Sequence, residues 1–149
     1  MAENDERAIT NLIASYAELV DAGDFAGVGE LLAHASFGSG EGSLTGADAI
    51  AEMFGKSVIT YDDGTPRTKH VTTNIHLEID GASAAVRSYF TVLQAVTGLS
   101  LQPIIAGRYR DRFTRTADGW QFAERVVTID LIGDVSGHLR GTRPAPVTD

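Results

Sequence analysis

Thr68-Lys69-His70-Val71-Thr72-Thr73-Asn74-Ile75-His76-Leu77-Glu78-Ile79-Asp80-Gly81 is the stretch that decides the fold. Val71, Thr73, Ile75, Leu77 and Ile79 alternate with His70, Thr72, Asn74, His76 and Glu78, the period of two that marks an extended strand with unlike faces. Asp80-Gly81 supplies the residues a tight type I′ hairpin turn requires, so the next strand, Ala84 to about Val96, pairs antiparallel. A third strand runs from about Leu101 to Thr116, and Asp118-Gly119 turns it into a fourth, Trp120 to Ile132. Strands of this length, at about 3.3 Å per residue, twist and curl around whatever packs on their concave side.

Upstream the period changes. Ile9, Leu12, Ile13, Tyr16, Leu19 and Val20 recur at steps of three and four, with acidic residues gathered where the helix dipole favours them. This predicts an amphipathic helix over about Asp5 to Val20. Asp21-Ala22-Gly23-Asp24 reads as a turn, with Asp24 the N-cap of a short second helix carrying Phe25, Val28, Leu31 and Leu32 on one side. Phe37-Gly38-Ser39-Gly40-Glu41-Gly42-Ser43 reads as a polar loop; no Lys-Ser/Thr follows it, which excludes a phosphate cradle. Thr45-Gly46-Ala47 leads into a third helix with Ile50, Met53 and Phe54.

The chain has 149 residues, 43% hydrophobic and 21% charged, the proportions of one globular domain with a real core. We expect that domain over residues 1–140 and a flexible tail over 141–149, where Pro144 and Pro146 fall. There is no cysteine, which excludes disulfides, thiolate zinc sites and cysteine nucleophiles. The net charge of −8 and the lack of a basic stripe argue against a nucleic-acid partner. Apolar runs fall far short of the roughly 20 residues of a membrane helix, so the expectation is no membrane and a cytoplasmic location. Histidines 34, 70, 76 and 138 show no metal-binding spacing, and there is no G-x-S-x-G elbow, so neither a metal nor another cofactor is expected.

Four local features sit on this order of elements: Tyr16 with Asp21 at the end of the first helix; Arg67-Thr68-Lys69-His70 with Asn74 on the first long strand; Gly107-Arg108-Tyr109 followed by Asp118-Gly119-Trp120; and Gly133-Asp134-Val135-Ser136-Gly137-His138-Leu139 near the end. Together they resemble the nuclear transport factor 2-like superfamily, in its SnoaL-like and scytalone dehydratase-like branch. The resemblance covers nearly the whole chain. It implies an α+β fold, a cone-shaped roll in which a strongly curved, mainly antiparallel sheet packs against about three N-terminal helices. Tyr and Asp on the first helix with His on the strand look like the set with which scytalone dehydratase and bile-acid dehydratase eliminate water without a cofactor. Scytalone dehydratase has a second histidine on the following strand, where this chain has Phe90, Gln94 and Val96.

The catalytic set this implies is His70, Asp21 and Tyr16, with Asn74, Arg125, Phe54 and Tyr109 as substrate-binding residues. Read alone, Asp21 sits where the dipole disfavours a carboxylate, so it needs a compensating partner or a side-chain turn with Ala22-Gly23. Five residues turn a helix by about 140°, so Tyr16 and Asp21 both point inward only if the helix ends or loosens between them. His70 lies on a polar face, solvated unless the rim of the cone brings it inward; an imidazole there can give and take a proton near pH 7. Tyr16 packs its ring in the core and has a hydroxyl free to donate. Asn74 would orient His70 or a ligand, and Arg125, if inward, would fix an acidic group. His138 reads as helping to close the domain or join subunits.

The leading expectation is a lyase or isomerase working by proton transfer on a small cyclic, largely apolar hydroxy-ketone, polyketide- or steroid-like. Its rivals are a non-catalytic small-molecule binder and a scaffold for a protein partner. Self-association into a homodimer or homotrimer is expected in each case.

Overall fold

The computed structural model describes residues 2–141; apart from Gly141, the expected tail lies outside them. The elements run α1 (Ala2–Asp21), α2 (Phe25–Leu31), β1 (Ser36–Gly38), β2 (Ser43–Thr45), α3 (Ala47–Ser57), β3 (Thr68–Asp80), β4 (Ser83–Val96), β5 (Leu99–Thr116) and β6 (Gly119–Ile132). The order across the single sheet is β2-β1-β6-β5-β4-β3. Every pairing is antiparallel except β1 with β6, which brings Phe37 beside Arg125. The helices cover one face, giving the curved α+β roll expected.

Ile9, Ile13, Tyr16 and Val20 form the buried stripe of α1, the three- and four-residue spacing that one helix face requires. The helix stays regular through Asp21, with no loosening between Tyr16 and that residue. Gly23 follows at φ 74°, and the N–H groups of Gly23 and Asp24 close the helix end on Val20 and Leu19. A Cβ at Gly23 would lie 2.1 Å from the Gly64 carbonyl oxygen, so glycine lets the loop before β3 lie against the end of α1. Asp24 caps α2 as expected, its carboxylate accepting from the Gly27 N–H at 2.9 Å.

The glycine-rich stretch is not wholly a loop. Its ends form the β1–β2 hairpin, and a Cβ at Gly38 would come within 2.0 Å of the Gly42 carbonyl oxygen. The composition that reads as loop is what permits so tight a hairpin.

The most consequential local feature is in β3. Register against β4 slips between Thr73 and His76, where one extra residue bulges out and Asn74 takes φ 53°. Before the bulge Thr68, His70 and Thr72 turn inward, opposite Gln94, Val92 and Phe90. Beyond it the phase reverses, and Leu77 and Ile79 turn inward opposite Val86 and Ala84. Val71 and Ile75 therefore stand on the outer face, exposed. The bulge lets one strand present a polar triplet and an apolar pair to the same interior.

On β5, Tyr109, Asp111 and Phe113 are buried while Arg108, Arg110 and Arg112 are exposed, the period of two that a strand with unlike faces requires. After β6 the chain crosses the end of α3: the Ile59 N–H bonds the His138 carbonyl at 2.8 Å, Val58 bridges Leu139, and the Arg140 N–H bonds the Ser57 carbonyl. No helix among the described residues is long and apolar enough to cross a membrane.

Candidate active site

Asp21 ends α1, at the negative end of the helix dipole, and its carboxylate is compensated entirely from β3. The Thr68 hydroxyl donates to Oδ1 at 2.8 Å, the His70 backbone N–H donates to Oδ2 at 2.8 Å, and His70 Nδ1 lies 2.6 Å from Oδ1. Asp21 thus bonds the strand rather than the Ala22-Gly23 turn. Burial works to raise its pKa, but the hydrogen bonds and charge of His70, with the Thr68 bond, outweigh this and hold the carboxyl below its ordinary value. The two side chains are 8% and 9% exposed. A carboxylate only accepts, so the proton of neutral His70 sits on Nδ1 and the lone pair on Nε2.

The His70 ring lines a cavity of about 530 Å³ between the helices and the concave sheet, a size that suits a small organic ligand. Tyr16, Phe54 and Tyr109 line it as well, as do Val92 on β4 and His138 beyond β6. Asp21 is not in its wall. It stands behind His70, which resolves the 140° problem: Tyr16 faces the cavity while Asp21 reaches β3, and no break in the helix is needed. The Tyr16 ring meets His70 edge-on, with centroids 6.5 Å apart. Burial pushes the Tyr16 phenol up to about 12, with Arg125 working against it, and burial likewise raises Tyr109. Both stay protonated near neutrality, as hydrogen-bond donors must.

Two expected ligand contacts lie elsewhere. Asn74 occupies the β3 bulge, exposed and outside the cavity wall. Arg125 does point inward, but it is fully buried and held by Asp111 through paired bonds, Nε to Oδ1 at 2.7 Å and Nη2 to Oδ2 at 2.8 Å. The rings of Tyr109 and Tyr16 lie over its guanidinium at 3.8 and 4.3 Å. Arg125 therefore props up the two tyrosines from behind instead of meeting an acidic ligand. Conversely, His138 enters the cavity wall although sequence reasoning left it outside the site.

A second concavity, of about 420 Å³, lies beside Tyr61, Arg67 and Asp134. It contains neither His70 nor Tyr16, so the acid-base groups single out the first. Among the described residues no group of three or more His, Asp or Glu could hold a metal ion.

The profile of the SnoaL-like domain matches residues 2–126. The chain belongs to the SnoaL-like family. Among curated proteins none matches it. Solved structures similar to this SnoaL-like chain include a variant of Rv3472, a protein of unknown function from Mycobacterium tuberculosis (TM-score 0.73, 23% identity, 87% of this chain and 73% of that one). Others are a nuclear transport factor 2-like protein with a cystatin-like fold from Novosphingobium aromaticivorans (0.73, 23%, 91% and 88%) and a protein of the same organism provisionally named a scytalone dehydratase (0.71, 20%, 99% and 96%). At these identities the likeness shows the fold.

On this SnoaL-like scaffold the arrangement offers an imidazole oriented by a carboxylate, a phenol donor beside it, and a largely apolar wall. Those are the parts of a proton-transfer site.

Proposed function

We propose that this SnoaL-like protein is a cofactor-independent lyase or isomerase, acting by general acid-base catalysis on a small cyclic, largely apolar hydroxy-ketone of polyketide or steroid type. The observation that carries the proposal is the 2.6 Å contact between Asp21 and His70 Nδ1 at the wall of an apolar cavity. His70 Nε2 takes a proton from the carbon next to the carbonyl, and the C–H electron pair moves into an enolate. Asp21 stabilises the resulting imidazolium, and the Tyr16 hydroxyl donates to the enolate oxygen. In elimination the enolate collapses, expelling the β-hydroxyl as His70 protonates it, so that the product and water leave and the histidine is neutral again. In isomerisation the same proton returns to a different carbon. One positioned base contributes about 10² to 10⁴ in rate, leaving the rest to the oxyanion donor and the apolar surroundings of the cavity.

The provisional naming of similar structures from Novosphingobium aromaticivorans and Streptomyces avermitilis as dehydratases supports this reading. It is tested by presenting cyclic β-hydroxy-ketones such as 3-hydroxy-1-tetralone, which loses water to give fluorescent 1-naphthol, to the wild type and to His70→Ala. Turnover in the wild type that falls by about 10² or more in the variant is the expected result. Binding by the wild type without turnover would make the protein a carrier.

Self-association, as a homodimer or homotrimer, we place on the outer sheet face. There Val71, Thr91, Ala106 and Leu131 stand in one registered row across β3 to β6, and sedimentation velocity of wild type against Leu131→Glu reads it.

A further inference from the structure

His138 is 4% exposed, lines the cavity with His70 and Tyr16, and has a buried Nδ1 with no hydrogen-bond partner among the described residues. A buried polar atom left unpaired is costly, and native proteins keep few of them outside sites where a ligand or water completes the bond.

Nothing in the local fold requires the imidazole. The His138 backbone N–H donates to the Val135 carbonyl at 3.0 Å and its carbonyl accepts from Ile59, so the main chain is satisfied without the ring. The segment is also held from the sheet. Gln94 Nε2 donates at 3.0 Å to both the Pro66 and the Gly137 carbonyls, and the Tyr61 hydroxyl donates to Gly137 as well. Gly137 fits because a Cβ there would press on the Tyr61 hydroxyl, Gln94 Oε1 and Val96. Gln94 pairs in register with Thr68, whose hydroxyl bonds Asp21. One ladder position thus positions both histidines, His70 through Thr68 and Asp21, and His138 through Gln94 and Gly137.

We infer that His138 is a ligand-binding residue of the cavity, whose imidazole hydrogen-bonds an oxygen of the bound molecule other than the carbonyl held at Tyr16 and so selects ligands with two oxygen functions. This rests on the reading of the cavity as a site for cyclic ketones. Burial, then the charge of His70, push the His138 pKa down to about 4, with Asp21 opposing. The ring is therefore neutral near pH 7, with one donor and one acceptor nitrogen, and leaves proton transfer to His70. Among the described residues no lysine or arginine lines the cavity, and Arg125 is committed to Asp111. The matching ligand is uncharged.

The test measures binding of 1-tetralone and of 6-hydroxy-1-tetralone, whose phenolic hydroxyl cannot be eliminated, by calorimetry at pH 7. The wild type should prefer the hydroxy-ketone by about five- to tenfold, the worth of one neutral hydrogen bond. His138→Leu should lose that preference while still binding 1-tetralone, and His138→Gln should recover part of it. A preference that is absent in the wild type or survives in His138→Leu overturns the inference and leaves the cavity reading standing. Failure of the wild type to bind either ketone overturns both. Should His138→Leu not fold, the imidazole ¹⁵N resonances of wild-type His138 decide: they should move with 6-hydroxy-1-tetralone and not with 1-tetralone, and no movement with either overturns the inference.

Discussion

Asp21 holds His70 at two points, the ring Nδ1 at 2.6 Å and the backbone N–H at 2.8 Å, so one carboxylate at a helix end fixes both the imidazole and the strand that carries it. Asp21→Asn keeps the shape but offers the ring an amide, which frees the imidazole to adopt the wrong tautomer. Turnover should fall by about 10² or more with a small change in KM, by analogy with the loss when an orienting carboxylate becomes an amide. Steady-state kinetics on a substrate found for the wild type checks this.

The same carboxylate makes stability depend on pH. Its pKa lies below the ordinary 3.8 in the folded chain. The unfolded chain therefore binds the proton first as the pH drops, and the stabilisation from Asp21 is complete above 3.8 and lost as pH falls through the folded value. Urea denaturation of wild type and Asp21→Asn between pH 7 and pH 3 should show the two stabilities converging in acid.

Tyr16→Phe removes only a hydroxyl. Its ring contacts with Phe37, Phe54 and Tyr109 remain, so unfolding should change little, while turnover should drop by about 10² to 10³, the usual loss of an oxyanion donor. With the phenol at about 12, any alkaline limb of the wild-type pH profile below pH 10 should persist in Tyr16→Phe.

Asp111 and Arg125 are fully buried and paired with each other. Asp111→Ala leaves an uncompensated guanidinium beneath Tyr16 and Tyr109, and should cost about 3 to 5 kcal/mol of stability. Chemical denaturation measures it.

Much of this molecule is legible in its sequence, and the boundary of legibility has physical causes. The apolar stripe of α1, the Asp24 cap and the two Asp-Gly hairpins gave three helices and four long strands because each rests on local chemistry. The β1–β2 hairpin escaped because three-residue strands rich in glycine carry no measurable period. In β3 the alternation of Val71 through Ile79 runs on unbroken in the sequence, yet the bulge at Asn74 divides it between two faces. Periodicity alone would therefore have left His70 outside, and only the resemblance brought it in. The sequence leaves the direction of Arg125 open, and its partner Asp111 is joined to it by strand register, which no local pattern reveals. His138 was missed because its place depends on Gln94 and Tyr61, distant in sequence. The Gly133–Leu139 motif is the one signal of it that the sequence carries.

In the proposed reaction His70 moves a proton at the carbon beside a ketone. Nuclear magnetic resonance of 1-tetralone in D₂O, with wild type and with His70→Gln, reads this step without knowledge of the natural substrate. The wild type should accelerate deuterium exchange at the carbon next to the carbonyl, and His70→Gln should reduce exchange nearly to the buffer rate. Exchange equal in the two proteins, or 1-tetralone bound by the wild type with no acceleration at all, would contradict it.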